Sequence, residues 1–452
     1  MKFLFIIDTK QTYRIFSPII NSGINLDHEI TICHIINSRA LNNPKIDISP
    51  FANLNKANIN IIELFSFDEL KNFISSSDNF DFYISLKPVQ FYLDSSLKNK
   101  ISGKWIIFQV GLDSYLQVWY WEPNVPLLQN YERLIFSYSE HLGSYFNKFK
   151  DVEKLEESNL NYHNYSNFFK DNSKILNIGF PDIDEKIKKI DQAIIRKKYN
   201  IPENKEIFLY LPFPFKLSHP FQKGYNSKYW HSAFSGIYQK LIDDRKLNNQ
   251  FSISFLRGLL KKLMMYLFIF INREAFSWYL SGYSEKKVML AIKEFCKKNN
   301  LYFVLKNRSK YPGIKDADKI ADLVVNDEEE KYYPTVFQEL LSIAKITSGY
   351  NSTSVFECIS MNSYYIDIVS PNIFFRGERL YRKFFGVNVN SLYNFDGVVK
   401  SMSIEDIIDK FIEMPFKDFL LDPSKKLEYE KLFINSSKNT PSDNFYRITQ
   451  NI

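Results

Sequence analysis

Glycine is scarce in this chain: 14 residues out of 452, against an average usage of about 7%. A phosphate site resting on a glycine-rich loop is therefore not the expectation. Serine and threonine hydroxyls and the free N–H groups of helix N-termini would have to supply one. Cysteine is scarcer still, and Cys33, Cys296 and Cys358 stand far from one another. They offer no metal-ligand spacing and no disulfide framework, a pattern that fits a reducing cytosol. No cluster of metal-ligating residues is apparent, so no bound metal is expected. No run of about 18 apolar residues exists either, so no membrane-spanning helix is expected. The nearest approach, residues 263–271, is half that length. The apolar opening from Met1 to Ile7 meets Asp8, Thr9 and Lys10 at once. It reads as a buried first strand and not as a secretion signal.

What is present is ordinary soluble material, 45% hydrophobic and 24% charged. Aromatic residues are abundant, with 41 Phe and 29 Tyr. The net charge of +7 is compatible with nucleic acid, anionic lipid or a phosphorylated substrate and selects none of them. No nucleic-acid partner is expected. At 452 residues the chain exceeds a usual single domain, and two domains are the natural reading.

The order of elements supports that. Residues 2–7 read as a buried parallel strand, 11–22 as a helix carrying Pro18, and 29–34 as a second strand. Apolar runs at 59–64, 80–85, 105–109 and 134–137 continue the alternation, with a helix predicted over 67–75. Residues 151–173 are polar and read as a loop. A last strand of the first half follows from 174, then a charged helix over 184–199, a turn at 201–205 and a new strand over 206–211. In the second half, helix 285–299 leads to strands 301–306 and 321–325. Helix 335–343, strand 345–348, helix 354–361 and strand 364–369 come next, and helices at 404–414 and 424–434 close the order. Strands alternating with helices imply parallel sheets covered on both faces. The expected division is 1–190, then 191–420 with an insert at 213–283, then a helix and tail over 421–452, the chain passing between domains somewhere in 185–203.

Three stretches in this order carry a resemblance. The first is Phe3 to Asp8 followed, after a helix, by Asp27-His28-Glu29-Ile30-Thr31. The second is Asn177-Ile-Gly-Phe-Pro-Asp-Ile-Asp184 with Ile195-Arg-Lys-Lys-Tyr-Asn-Ile-Pro202. The third is Ile346-Thr-Ser-Gly-Tyr-Asn-Ser-Thr-Ser-Val-Phe-Glu-Cys358. Together they resemble the GT-B glycosyltransferase superfamily, in particular bacterial surface-polysaccharide transferases and CDP-glycerol glycerophosphotransferases, and more distantly the UDP-N-acetylglucosamine 2-epimerases. The resemblance implies an α/β GT-B fold, two Rossmann-like domains facing a central cleft. The chain departs from that pattern at Gln109-Val110-Gly111, where relatives often have His-Gly. It departs again at Lys306-Asn-Arg-Ser-Lys-Tyr-Pro312, where relatives often have Lys-x-His-Pro.

A strand ending at Thr347 and Ser348, with a helix beginning near Ser352 to Ser354, leaves N–H groups and hydroxyls at the carboxyl end of a sheet. Open α/β sheets bind ligands there. Ser348, Ser352, Thr353 and Ser354 would hold a diphosphate, or Ser and Thr would simply cap a helix. Glu357 would accept hydrogen bonds from ribose, as the resemblance implies. Lys306, Arg308 and Lys310 form one cationic cluster, and Arg376, Arg379 and Arg382 another. Lys306, Arg308 and Arg376 are candidate base or phosphate contacts; solvated basic loops are the alternative. A general base for an acceptor hydroxyl would be Asp113, or else Asp8. His28, Glu140 and His141 read as structural.

Residues 255–273 combine Arg257, Lys261, Lys262 and Arg273 with large apolar side chains. Such a segment can lie against an anionic membrane, or can be core or an interface between copies. The function expected is transfer of a sugar from a nucleotide-sugar donor to a glycan or lipid-linked acceptor in surface-glycan assembly. It would proceed without metal, in the cytoplasm or at the inner face of the plasma membrane. Transfer of a polyol phosphate from a CDP donor, and a nucleotide-sugar-binding protein without catalysis, are the alternatives.

Overall fold

Short, continuously apolar segments satisfy their backbones best as parallel strands buried on both faces, and the chain has two sets of them. The computed structural model describes residues 1–8, 12–38, 41–42, 59–77, 80–86, 92, 101, 103–108, 133–137, 139, 175–183, 185–212, 285–307, 316–327, 333–350, 352–369, 390–435 and 438–452. The first set comprises β1 (Lys2–Ile7), β2 (Glu29–Ile35), β3 (Ile59–Leu64), β4 (Phe82–Ser85), β5 (Lys104–Phe108), β6 (Arg133–Ser137) and β7 (Ile175–Asn177). These form one sheet in the spatial order β3-β2-β1-β4-β5-β6-β7, every pair parallel. The second set comprises β8 (Ile207–Leu211), β9 (Tyr302–Lys306), β10 (Leu323–Val325), β11 (Ala344–Gly349), β12 (Tyr364–Val369) and β13 (Val399–Ser403). Its order is β10-β9-β8-β11-β12-β13, again all parallel. In its own strand numbering the second sheet runs 3-2-1-4-5-6, the Rossmann order, and the first runs the same with a seventh strand beyond its sixth. In each, the order reverses beside its first strand, and a crevice opens at the carboxyl ends there.

The described helices are α1 (Thr12–Asn25), α2 (Phe67–Ser76), α3 (Gln192–Lys198), α4 (Glu285–Lys298), α5 (Val336–Leu341), α6 (Ser354–Ser360), α7 (Ile404–Asp409), α8 (Pro423–Tyr429) and α9 (Pro441–Gln450), with shorter turns between them. The shortage of glycine shows in how four of them stop. Helices commonly end on a left-handed residue, usually Gly and sometimes Asn. Here Asp27, Asn200, Asn300 and Asn362 take that position, with φ of 56°, 53°, 55° and 64°. In each case the next residue's N–H reaches back to a carbonyl in the last turn: His28 to Gly23 at 3.1 Å, Ile201 to Arg196 at 2.9 Å, Leu301 to Cys296 at 2.8 Å and Ser363 to Cys358 at 2.8 Å. A short polar side chain tolerates the conformation because it can hydrogen-bond locally.

The structure redraws some predicted elements. Residues 184–199 are not one helix. Glu185–Lys188 forms a short one, and Asp191 starts α3 afresh by accepting from the N–H groups of Ala193 and Ile194. Strand β13 had no counterpart in the predicted order. The helix expected over 404–414 ends at Asp409, and a 3₁₀ turn over Phe411–Glu413 continues it.

One apolar cluster runs from Leu4 and Ile6 of the first sheet through Phe180 and Ile183 to Ile207 and Leu209 of the second. The chain's last helix also joins the halves. α9 returns to the first sheet, placing Phe445 5.9 Å from Phe3 and 5.7 Å from Phe108 between ring centroids. Tyr446 donates to the Ile19 carbonyl at 2.8 Å, and Asn444 to that of Ile178 at 3.0 Å. Gly23 of α1 makes room for this. A Cβ there would overlap the Tyr446 ring and come within 2.8 Å of Ile30 Cδ1. Gly23→Ala should therefore lower the melting temperature, with a cost of about 1–3 kcal/mol for overpacking. Tyr446→Phe in the same chain should recover part of it. An unchanged melting temperature would mean that α9 does not sit against α1.

Candidate functional site

The crevice of the second sheet lies between β8 and β11. The chain leaves β11 at Gly349, where a Cβ would sit 2.9 Å from the Tyr365 hydroxyl, so a strand can pass this closely only without a side chain. Ser348 is buried just before it, and its hydroxyl makes no hydrogen bond with a described residue. Beyond the turn, Ser352 Oγ donates to Ser354 Oγ at 2.9 Å and accepts the Ser354 N–H at 3.3 Å. Thr353 stands at the start of α6 and makes no capping bond through its side chain. Ser352, Thr353 and Ser354 are all half-buried. Three hydroxyls thus lie at the carboxyl end of β11, at the start of α6, where the N–H groups of Val355 and Phe356 donate to the Ser352 and Thr353 carbonyls, each at 3.1 Å. The structure brings this part of the predicted site together.

Glu357 lies one turn into α6 and is buried. Its Oε2 is 3.6 Å from Nη1 of Arg14, which belongs to the first turn of α1 in the other half. The Arg14 Nε is 2.5 Å from Asp182 Oδ2 in the passage between the sheets. Both carboxylates are 1% exposed and the guanidinium 23%. Burial pushes the Asp182 carboxyl above its ordinary range, and the Arg14 charge pulls it back down. Gln338 fixes the passage by donating to the Asp182 carbonyl at 2.8 Å. Because α1 follows β1 and α6 follows β11, this contact sets the carboxyl edges of the two sheets against each other.

Another buried carboxylate lies at the start of α4. Glu285 opens α4 and accepts from the hydroxyls of Tyr210, at the end of β8, and Tyr350, just past β11, the latter at 2.8 Å. The two phenols are 3.1 Å apart. Complete burial raises the Glu285 carboxyl to about 7, while the two donors work the other way. The cluster ties the start of α4 to Tyr350, just past β11.

The remaining candidates are placed as follows. Lys306, at the end of β9, is buried with Nζ 2.5 Å from Asp327 Oδ1 and donates to the Asn307 carbonyl at 3.0 Å. Asp8 ends β1 at the first sheet's crevice, fully buried, and accepts from the Tyr92 hydroxyl at 3.3 Å. The Tyr13 hydroxyl of α1 and His34 Nδ1 of β2 are hydrogen-bonded at 2.8 Å. Asp113, Arg308, Arg376 and the segment 255–273 lie outside the described residues. All three cysteines are buried, and burial pushes their thiols up, so none is poised as a thiolate. Among the described residues no group of three or more His, Cys, Asp or Glu could hold a metal, and no helix is long and apolar enough to cross a membrane.

Sequence reading missed Arg14, Asp182 and Glu285. Arg14 is a lone cation among the buried Tyr13, Ile15 and Phe16, and such a position hints at a buried ion pair. Asp182 and Glu285 carry no comparable local sign.

No protein-family model and no curated protein matches the chain. Solved structures do. A variant of the wall teichoic acid polymerase TagF superposes with a TM-score of 0.51 at 10% identity, over 100% of this chain and 88% of that one. A glycosyltransferase from Rickettsia africae gives 0.49 at 12% identity, over 100% and 98%. The UDP-GlcNAc 2-epimerase from Neisseria meningitidis gives 0.44 at 13%, over 100% and 99%. At these identities the likeness speaks to the fold. Two parallel sheets in Rossmann order, their carboxyl edges joined through Arg14, together with the likeness to the TagF variant establish that the chain has the GT-B fold.

Proposed function

We propose that this chain is a nucleotide-sugar-dependent glycosyltransferase that moves a sugar to an acceptor hydroxyl in surface-glycan assembly. The observation that carries the reading is the row of hydroxyls at Ser352, Thr353 and Ser354, set at the second sheet's crevice one turn ahead of Glu357. The diphosphate of the donor lies along that row and its ribose hydroxyls on Glu357, with Ser348 behind them. Lys306, at the end of β9, and Arg308 and Arg376, which follow β9 and β12 in the sequence, complete the donor side. The first half takes the glycan or lipid-linked acceptor, where Asp113 or Asp8 receives the proton as the glycosidic bond forms. Closure of the two halves excludes water during transfer. Contact of residues 255–273 with an anionic membrane surface would bring the enzyme to a lipid-linked acceptor.

Glu357→Ala should weaken nucleotide binding roughly tenfold or more, the worth of a charge-assisted hydrogen bond of about 1.5–3 kcal/mol. Calorimetric titration of the variant, after a melt shows it folded, measures this. Unchanged affinity removes Glu357 from the site. Turnover with a panel of nucleotide sugars should release the nucleoside diphosphate. Release of CMP from a CDP-polyol would assign polyol-phosphate transfer to the same scaffold instead.

A further inference from the structure

Among the described residues, two acids hold Arg14, and they hold it unequally. The contact to Asp182 is tight, at 2.5 Å from Nε, and the one to Glu357 is loose, at 3.6 Å from Nη1. Asp182 is itself anchored: Gln338 holds its carbonyl at 2.8 Å, and the Phe180 ring beside it lies 5.5 Å from that of Phe356. Glu357 is therefore the partner that Arg14 can give up. It is also the residue that the nucleotide reading asks to turn toward ribose. On α6, residues three and four apart share a face, so Glu357 lies over Thr353 and Ser354. The guanidinium that reaches Glu357 from α1 is thus on the side of α6 that carries Thr353 and Ser354, and it is the exposed member of the three, at 23% against 1% and 1%.

We propose that Arg14 is a donor-phosphate ligand supplied by the opposite half of the molecule. When a nucleoside diphosphate enters, Glu357 passes to the ribose hydroxyls. The guanidinium, still held at Nε by Asp182, presents its Nη groups to the phosphate oxygens. Arg suits this because its planar fork serves two acceptors at once. The ligand brings the negative charge that replaces Glu357, so Arg14 stays paired before and after the exchange. A phosphorylated ligand then bridges the halves where the unphosphorylated nucleoside does not, and closure follows from the differential contact.

This rests on the nucleotide reading, and the test separates the two. The unmodified protein, Arg14→Lys, and the double variant Arg14→Met with Asp182→Asn are titrated with UDP, CDP, GDP and dTDP and with the corresponding nucleosides. The double variant removes the guanidinium together with the carboxylate it would strand. Its affinity for the bound diphosphate should fall tenfold or more, the affinity for the nucleoside staying within twofold, and Arg14→Lys should fall between. A double variant that keeps the diphosphate-to-nucleoside ratio of the unmodified protein overturns the role of Arg14 and leaves the nucleotide site standing. An unmodified protein that binds none of these nucleotides overturns both.

Discussion

Arg14→Met should cost about 3 kcal/mol of folding stability at pH 8 and far less at pH 5. The substitution leaves Asp182 and Glu357 buried in the same place without the guanidinium between them. Burial already raises the Asp182 carboxyl, and Arg14 is the opposing influence, so its removal raises that carboxyl further. A buried acid whose proton is held more tightly in the folded chain than in the unfolded one stabilises at low pH. That contribution is lost as pH climbs through the folded value. The penalty should therefore grow from pH 5 to pH 8. The cost lies at the low end for a broken buried pair, because the guanidinium is partly in solvent. Asp182→Asn in the same chain should restore most of the loss at pH 8 and add little at pH 5. Denaturant unfolding at both pH values reads this out. A penalty that does not change with pH would show that Arg14 contributes packing alone.

Glu285→Gln should alter the pH profile of stability by a similar amount, in the opposite sense. The carboxyl is raised from 4.5 to about 7 by burial, a shift equivalent to roughly 3 kcal/mol. Between those values the folded chain keeps a proton that the unfolded chain gives up, so the unmodified protein loses stability as pH rises from about 5 to about 7. Above the folded value the loss is complete and the curve levels. Gln has nearly the shape of the protonated acid and cannot ionise, so the two proteins should match near pH 5 and the variant should be the more stable at pH 8. Melting curves at half-unit pH intervals test this, and parallel curves for the two proteins would refute it. Ionisation of Glu285 also changes what Tyr350 donates to, at the base of the turn that leads to Ser352. Nucleotide affinity in the unmodified protein should accordingly carry a step near neutral pH that the variant lacks.

The parts of this fold that could be read in the sequence are those where local pattern decides the outcome. Strands at 59–64 and 364–369 are apolar runs with clear ends, and they form where expected. β13 escaped because it lies at the edge of its sheet: Val399 and Met402 are buried while Lys400, Ser401 and Ser403 are partly in solvent, and so mixed a pattern resembles a loop. The break before α3 depends on a single Asp191 capping two N–H groups, and a charged amphipathic run hides it. The hydroxyl row was legible because strand, turn and helix follow one another within a dozen residues. The charges behind it were not. Arg14, Asp182 and Glu357 come from three distant stretches, as do Tyr210, Glu285 and Tyr350. No local signal says which of 51 acidic residues the fold will bury.

The seating of α9 bears on how the molecule is made. The bond from Tyr446 to Ile19 spans 427 residues, so the first sheet's outer face, with Phe3, Phe108 and α1, waits for nearly all the rest of the chain to leave the ribosome. A nascent chain grows at about 5–20 residues per second, which leaves those side chains uncovered for tens of seconds. During that interval the amino-terminal half is a partly closed body with an apolar face, a natural substrate for a holding chaperone. Cutting the gene just before α9 should give a product that accumulates in that state, although every strand of both sheets would still be encoded.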